Sequence, residues 1–178
     1  EPVRLIGPLG RRVGELMRHG ISLLAYHLPL DAHPVLGNNA VALARLGIPE
    51  HSPFADQGIG RGGACPTDLT IPDLIRRCEE VFAHPVLHCP GGPDRVRRIA
   101  VVTGVRQVYL AEARRNGFDV LITGETSEQT WHEAAEWGIH CLACGHHATE
   151  AMAIHGLGGH LAATQGLAAH AFRPDVPV

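Results

Sequence analysis

Arg98-Ile-Ala-Val-Val-Thr103, Phe118-Asp-Val-Leu-Ile-Thr123 and Ile139-His-Cys-Leu-Ala143 are short, largely apolar runs, and each is followed by a helical pattern, over residues 107–115, 127–137 and 147–163. Runs this short read as buried strands. Parallel neighbours need a crossover connection, and a helix is its usual form, so strands alternating with helices imply βαβ units. The expected class is α/β, with largely parallel sheets flanked by helices. In such sheets ligands sit beyond the carboxyl ends of the strands. Thr103-Gly104, Thr123-Gly124-Glu125 and Gly145-His146 fall there, and so do His27 and Asp31, which follow the apolar run Ile21-Ser-Leu-Leu-Ala-Tyr26.

Outward from this core, residues 21–26 are expected as a further buried strand, and residues 168–172 as a last one. Pro29 predicts an extended or turned segment between His27 and Asp31. Asn38 or Asn39 is expected to cap a helix that runs to Leu46 and stops at Gly47. Residues 51–68 are rich in Gly and Pro, lack periodicity and read as a linker or exposed loop. Thr70 is an expected N-cap, with Leu74, Ile75, Cys78 and Phe82 on one helix face.

The chain has 178 residues, with a formal net charge of −3, which argues against general binding to a phosphate backbone. All 15 basic residues are Arg, so no Lys-based chemistry is available. No apolar stretch approaches the roughly 20 residues that span a bilayer. Five Cys at irregular spacing argue against a disulfide framework and fit a reducing, cytoplasmic setting, and no leader peptide opens the chain. Thirteen His stand beside four Phe, two Trp and two Tyr, an excess that points to metal or proton chemistry.

Cys144-Gly-His-His-Ala-Thr-Glu150 concentrates such residues. In a helix starting nearby, His146 and Glu150 share one face of the first turn, where imidazole and carboxylate can bind divalent metal. The spacing also fits an ordinary helix start, with Glu complementing the helix dipole. Asp31 is open to two readings as well, a ligand or an Asx-type turn with Ala32-His-Pro34. Glu128, His132 and Glu136 read as a solvated helix face, whereas Glu125 sits at a strand end, within reach of a ligand. Cys141-Leu-Ala-Cys144 lies in an apolar strand and does not read as a redox pair. Ser-nucleophile and P-loop motifs are absent from the sequence.

Three blocks together resemble a known family: Tyr26-His-Leu-Pro-Leu-Asp-Ala-His-Pro-Val-Leu-Gly-Asn-Asn39, Asp119-Val-Leu-Ile-Thr-Gly-Glu-Thr-Ser-Glu-Gln129 and Ala143-Cys-Gly-His-His-Ala-Thr-Glu150. They are similar to the Nif-three-like dinuclear-metal proteins, often labelled GTP cyclohydrolase one type two homologs, in a short bacterial branch. The resemblance runs in order over nearly the whole chain. It implies that Asp31, His146 and Glu150 ligate metal, with Glu150 bridging two divalent ions (iron, zinc or manganese), and that His27 lies close by as a supporting or substrate-facing group. For a hydrolase, His27, His147 and Glu125 are the candidate catalytic acids and bases.

It further implies two interlinked α/β domains, expected at 1–50 plus 140–178 and at 51–139, assembled as a toroidal homohexamer. A His-His-Gly block that supplies further ligands in the family is expected upstream of Glu1, so the N-terminal part of the first domain is expected to be missing. At Thr103-Gly-Val-Arg-Gln107 the sequence departs from the family's Gly-rich turn. The function expected is metal-dependent hydrolysis of a small-molecule, nucleotide-like substrate by metal-activated water. The alternative is a non-catalytic metal-binding scaffold that holds nucleic acid or a protein partner, with clustered Arg supplying a local patch.

Overall fold

The computed structural model describes residues 3–172 together with residue 174. Its elements are α1 (Gly7–Arg18), α2 (His27–Asp31), α3 (Asn38–Arg45), β1 (Ser52–Phe54), β2 (Gly60–Thr70), α4 (Ile71–Phe82), β3 (Leu87–Cys89), β4 (Arg95–Val101), α5 (Leu110–Arg115), β5 (Val120–Thr123), α6 (Glu128–Trp137), β6 (His140–Ala143) and α7 (His146–Gln165). The fold is α/β, as the alternating pattern requires.

One six-stranded sheet has the order β1-β2-β4-β5-β6-β3. Its centre, β4-β5-β6, is parallel, and antiparallel strands extend it on both sides. The sheet is therefore mixed around a parallel core. The division expected at 139/140 falls between β5 and β6, which pair as neighbours, with Leu121 opposite Cys141. Residues 173 and 175–178, within the expected 140–178 segment, lie outside the described residues.

The central strands are covered on both faces, so they read as continuous apolar runs. Ile99, Val101, Val120, Ile122 and Leu142 face Leu43 of α3, Leu74 and Cys78 of α4 and Met152 of α7. The alternate residues Ala100, Leu121 and Cys141 face Leu110 of α5, Ala134 of α6 and Phe118. Helix starts follow local chemistry. Thr70 caps α4 by accepting from the Asp73 N–H, and Ser127 forms a reciprocal capping box with Thr130 at α6.

Three expectations about the outer segments are corrected. Residues 21–26 form no strand, and Leu23 and Leu24 are 76% and 74% exposed. An apolar run becomes a strand only where a neighbouring edge pairs with it, and among the described residues none does. Residues 168–172 likewise form no strand. Residues 51–68, expected as a linker, instead hold β1 and most of β2, with a register shift between Ala64 and Leu69. Glycine there serves close packing. A Cβ on Gly62 would lie 2.2 Å from Cζ of Phe118, so the aromatic ring occupies the space a side chain would take. Gly62→Ala is expected to cost about 1–3 kcal/mol of stability through overpacking, measured by the shift of a urea unfolding midpoint.

Candidate metal centre

The clusters expected at the strand ends do converge at one rim. After β4, the Gly104 carbonyl accepts from the Thr123 hydroxyl (2.9 Å), the Gly124 N–H (2.9 Å) and the Glu125 N–H (3.2 Å). Thr149 of α7 joins them by accepting from the Gly104 N–H at 3.4 Å. Gly104 has φ +75°, and a Cβ there would stand 2.4 Å from Glu150 Oε1. The turn after β4 therefore passes directly against the Glu150 carboxylate, which only glycine permits.

α2 brings in the second half of the cluster. His27 and Asp31 were expected on an extended or turned segment, but they occupy one turn of helix. Pro29 is tolerated because the first turn of a helix needs no N–H donor. The four-residue offset then aims both side chains the same way. His27 Nε2 lies 3.7 Å from Asp31 Oδ2 and 3.9 Å from Glu150 Oε1. One ligand atom from each of His27, Asp31 and Glu150 falls within 4.8 Å of the others, so this His/Asp/Glu group could hold a metal ion.

His146 approaches Glu150 from the other side, with Nε2 3.4 Å from Oε2. The two oxygens of Glu150 thus face two different imidazoles, Oε1 toward His27 and Oε2 toward His146. His146 Nδ1 lies 2.5 Å from Glu125 Oε1. A carboxylate only accepts, so a proton on Nδ1 would satisfy this contact and, in the neutral ring, leave the Nε2 lone pair toward the cluster. His147 does not touch these groups. It lines the adjoining cleft of about 400 Å³ together with Glu125, His146, Glu150 and His155.

The donor set fits a cation. Asp31 is buried at 4% exposure, and Asn38 donates to its Oδ1 at 2.8 Å. Among the described residues no donor reaches Oδ2 within hydrogen-bond distance, and that oxygen shares the cluster with a second carboxylate. Two carboxylates facing one another, one of them buried, favour a compensating positive charge between them. Oxygen and imidazole ligands suit borderline divalent metals.

Sequence reasoning missed how Asp31 is held. Asn38 and Asn39, expected as caps, are buried in the first turn of α3, and Gly37 is the N-cap position. Asn38 Oδ1 accepts from the Ala153 N–H of α7 at 2.9 Å. Asn39 donates to the Ile59 carbonyl at 2.6 Å and accepts from the Thr103 N–H at 2.9 Å. Two adjacent amides beside an Asp were the available signal, because Asn both donates and accepts. The Cys141–Cys144 pair is buried in and just after β6, and burial pushes the Cys141 thiol up to about 12, so it is no redox centre.

Asn38→Ala strands a buried carboxylate oxygen and the Ala153 N–H together. It is expected to cost about 2–6 kcal/mol, since each unsatisfied buried group costs about 1–3 kcal/mol. Denaturant unfolding checks this, with Asn38→Asp as the variant that keeps shape but loses the donor.

Comparisons with known proteins identify the relatives of this fold. Residues 1–174 match the model of the Duf34/NIF3 (NGG1p interacting factor 3) family. A "GTP cyclohydrolase 1 type 2 homolog" of Allochromatium vinosum is 42% identical over 92% of the chain and 65% of its own length. The relative of the same name from Yersinia pestis is 44% identical over 91% and 65%. The chain therefore spans about two thirds of the length of these relatives. Among solved structures, ybgI, a protein described as of unknown function, superposes with a TM-score of 0.93 at 36% identity, covering 100% of this chain and 72% of that one. TTHA1606 from Thermus thermophilus gives 0.84 at 32% identity, covering 94% and 66%. The chain belongs to the Duf34/NIF3 family.

Proposed function

We propose that this protein is a dinuclear metal-dependent hydrolase acting on a small molecule. The observation that carries the reading is the placement of Glu150, whose two carboxylate oxygens face His27 and His146 separately. That is the arrangement a carboxylate needs to bridge two positions. Asp31, His146 and Glu150 would hold the ions, and His27 stands close enough to join them. Bound there, divalent ions supply Lewis acidity and bring the pKa of a coordinated water toward neutrality.

The chain's own side chains divide the remaining work. Glu125 fixes the ring of His146 and its tautomer. Asn38 fixes the Asp31 carboxylate by holding Oδ1, which leaves Oδ2 turned toward the cluster. His147 lines the cleft and makes no hydrogen bond among the described residues, so its ring is free to take or return a proton beside a bound substrate. The cleft, at about 400 Å³, suits a small molecule. A homohexamer belongs to the same proposal; exposed Leu23, Leu24 and Tyr26 offer apolar surface that an assembly would cover.

Metal content by plasma mass spectrometry tests the centre. About two divalent ions per chain are expected in the full-length protein, with loss of most of that metal in Glu150→Ala. Less than about half an ion per chain, unchanged by the substitution, overturns the metal reading. Hydrolytic turnover that disappears in Glu150→Ala supports the enzyme. Nucleic-acid binding that survives the substitution with a steep salt dependence favours a scaffold instead.

A further inference from the structure

A second groove, of about 320 Å³, opens beside α2, lined by Leu28, Ala32, Asp56, Ile59, Arg106 and Tyr109. It borders the metal cluster through both of its walls. α2 carries His27 and Asp31 as well as Leu28, and Arg106 stands two residues after Gly104, which abuts Glu150.

The charged groups of the lining are Arg106 and Asp56. Arg106 is half-buried and pairs with no carboxylate among the described residues, while its backbone N–H is anchored on the Thr123 hydroxyl at 3.3 Å. Arg61, only 7% exposed, donates through Nη2 to the carbonyl of Ala32 in the groove wall. It too has no carboxylate partner among the described residues, and its Nε is buried without an acceptor. Arg106 lines the groove and Arg61 stands behind its wall at Ala32, and two guanidiniums without carboxylate partners among the described residues favour an anion nearby. Tyr109 adds a hydroxyl that makes no hydrogen bond among the described residues, on a ring set edge-on to Phe54 at 6.4 Å.

Asp56 supplies the one carboxylate of the lining. It is flanked by Ala55 and Gln57, non-glycine residues at φ +63° and +53°. Such conformations cost about 1–3 kcal/mol each and persist where surrounding structure enforces them. The carboxylate works against a bare dianion, but it accepts from an occupant that brings an O–H or N–H donor.

We propose that this groove is the subsite for the part of the substrate remote from the metals, and that it takes a small organic phosphate or carboxylate that also carries a hydroxyl or amino group. The inference rests on the metal-centre reading for the reaction but not for the binding, and the two can fail separately.

Calorimetric titration of the metal-loaded protein with O-phosphoserine, glutamate and methyl phosphate tests it. O-phosphoserine or glutamate is expected to bind, and at least about tenfold more weakly to Arg106→Gln, as the loss of a charge-assisted contact predicts. The tighter of the two identifies the anion as phosphate or carboxylate. Methyl phosphate, lacking a donor, is expected to bind less well than O-phosphoserine, and Asp56→Asn is expected to remove that preference. No binding of any of the three probes, or equal affinity in Arg106→Gln, overturns the subsite. Binding lost in Glu150→Gln but kept in Arg106→Gln places the anion on the metals and also overturns it. Wild-type metal content and an unchanged melting temperature in Arg106→Gln keep this outcome distinct from failure of the metal centre or of folding.

Discussion

The site depends on two adjacent buried amides. Asn38 joins Asp31 to the backbone of α7 across 115 residues of sequence, and Asn39 ties the start of α3 to Ile59 and to Thr103 at the end of β4. α2 is a single turn and would not hold its place through its own hydrogen bonds. Its position against the rim of the sheet comes from these amides and from Arg61 donating to Ala32. A buried carboxylate is costly unless its partners are fixed before any cation arrives, and here the scaffold supplies one fixed donor and leaves the other oxygen to the cluster.

The rim itself is built by close approach. The Gly104 carbonyl gathers three donors from the end of β5, so the first two parallel strands finish as one rigid ledge. α7 begins on the next strand and sets His146 and Glu150 over that ledge at an offset of four residues. Glu125 then reaches across from the β5 end to hold His146. Each site residue therefore stands on, or next to, a strand end or a first helical turn, where geometry is least free to drift. This is the physical content of the rule that α/β sheets bind ligands at the carboxyl ends of their strands.

Where a residue's role follows from its neighbours in sequence, it was legible. β4, β5 and β6 announce themselves as apolar runs, α4 by Thr70 at its start, and the shared helix face of His146 and Glu150 by their spacing, which by itself left metal ligation and an ordinary helix start both open. Where the role depends on distant chain, it was not. The glycines of β2 suggest a loop until Phe118, 56 positions beyond Gly62, is seen filling the space above them. Residues 21–26 have the composition of a strand but no edge to pair with among the described residues. Pro29 looks like a breaker because the sequence does not show that it falls in the first turn of α2, where its missing N–H costs nothing.

The excess of histidine shows why composition could raise the possibility of metal but not locate it. His88 and His140 hydrogen-bond each other at 3.0 Å on the paired strands β3 and β6, and His140 also accepts from the Gly91 N–H and donates to the Pro93 carbonyl. Burial pushes both of these imidazoles below the usual histidine range, and their hydrogen bonds make them structural connectors. With every ring nitrogen of His140 engaged, nothing is left for a ligand. His27 and His147 are the reverse: neither ring makes a hydrogen bond among the described residues, and His27 sits beside the carboxylates at the rim while His147 lines the adjoining cleft. Availability of the ring nitrogen, which only the fold decides, separates the histidines that can do chemistry from those that hold the sheet edge together.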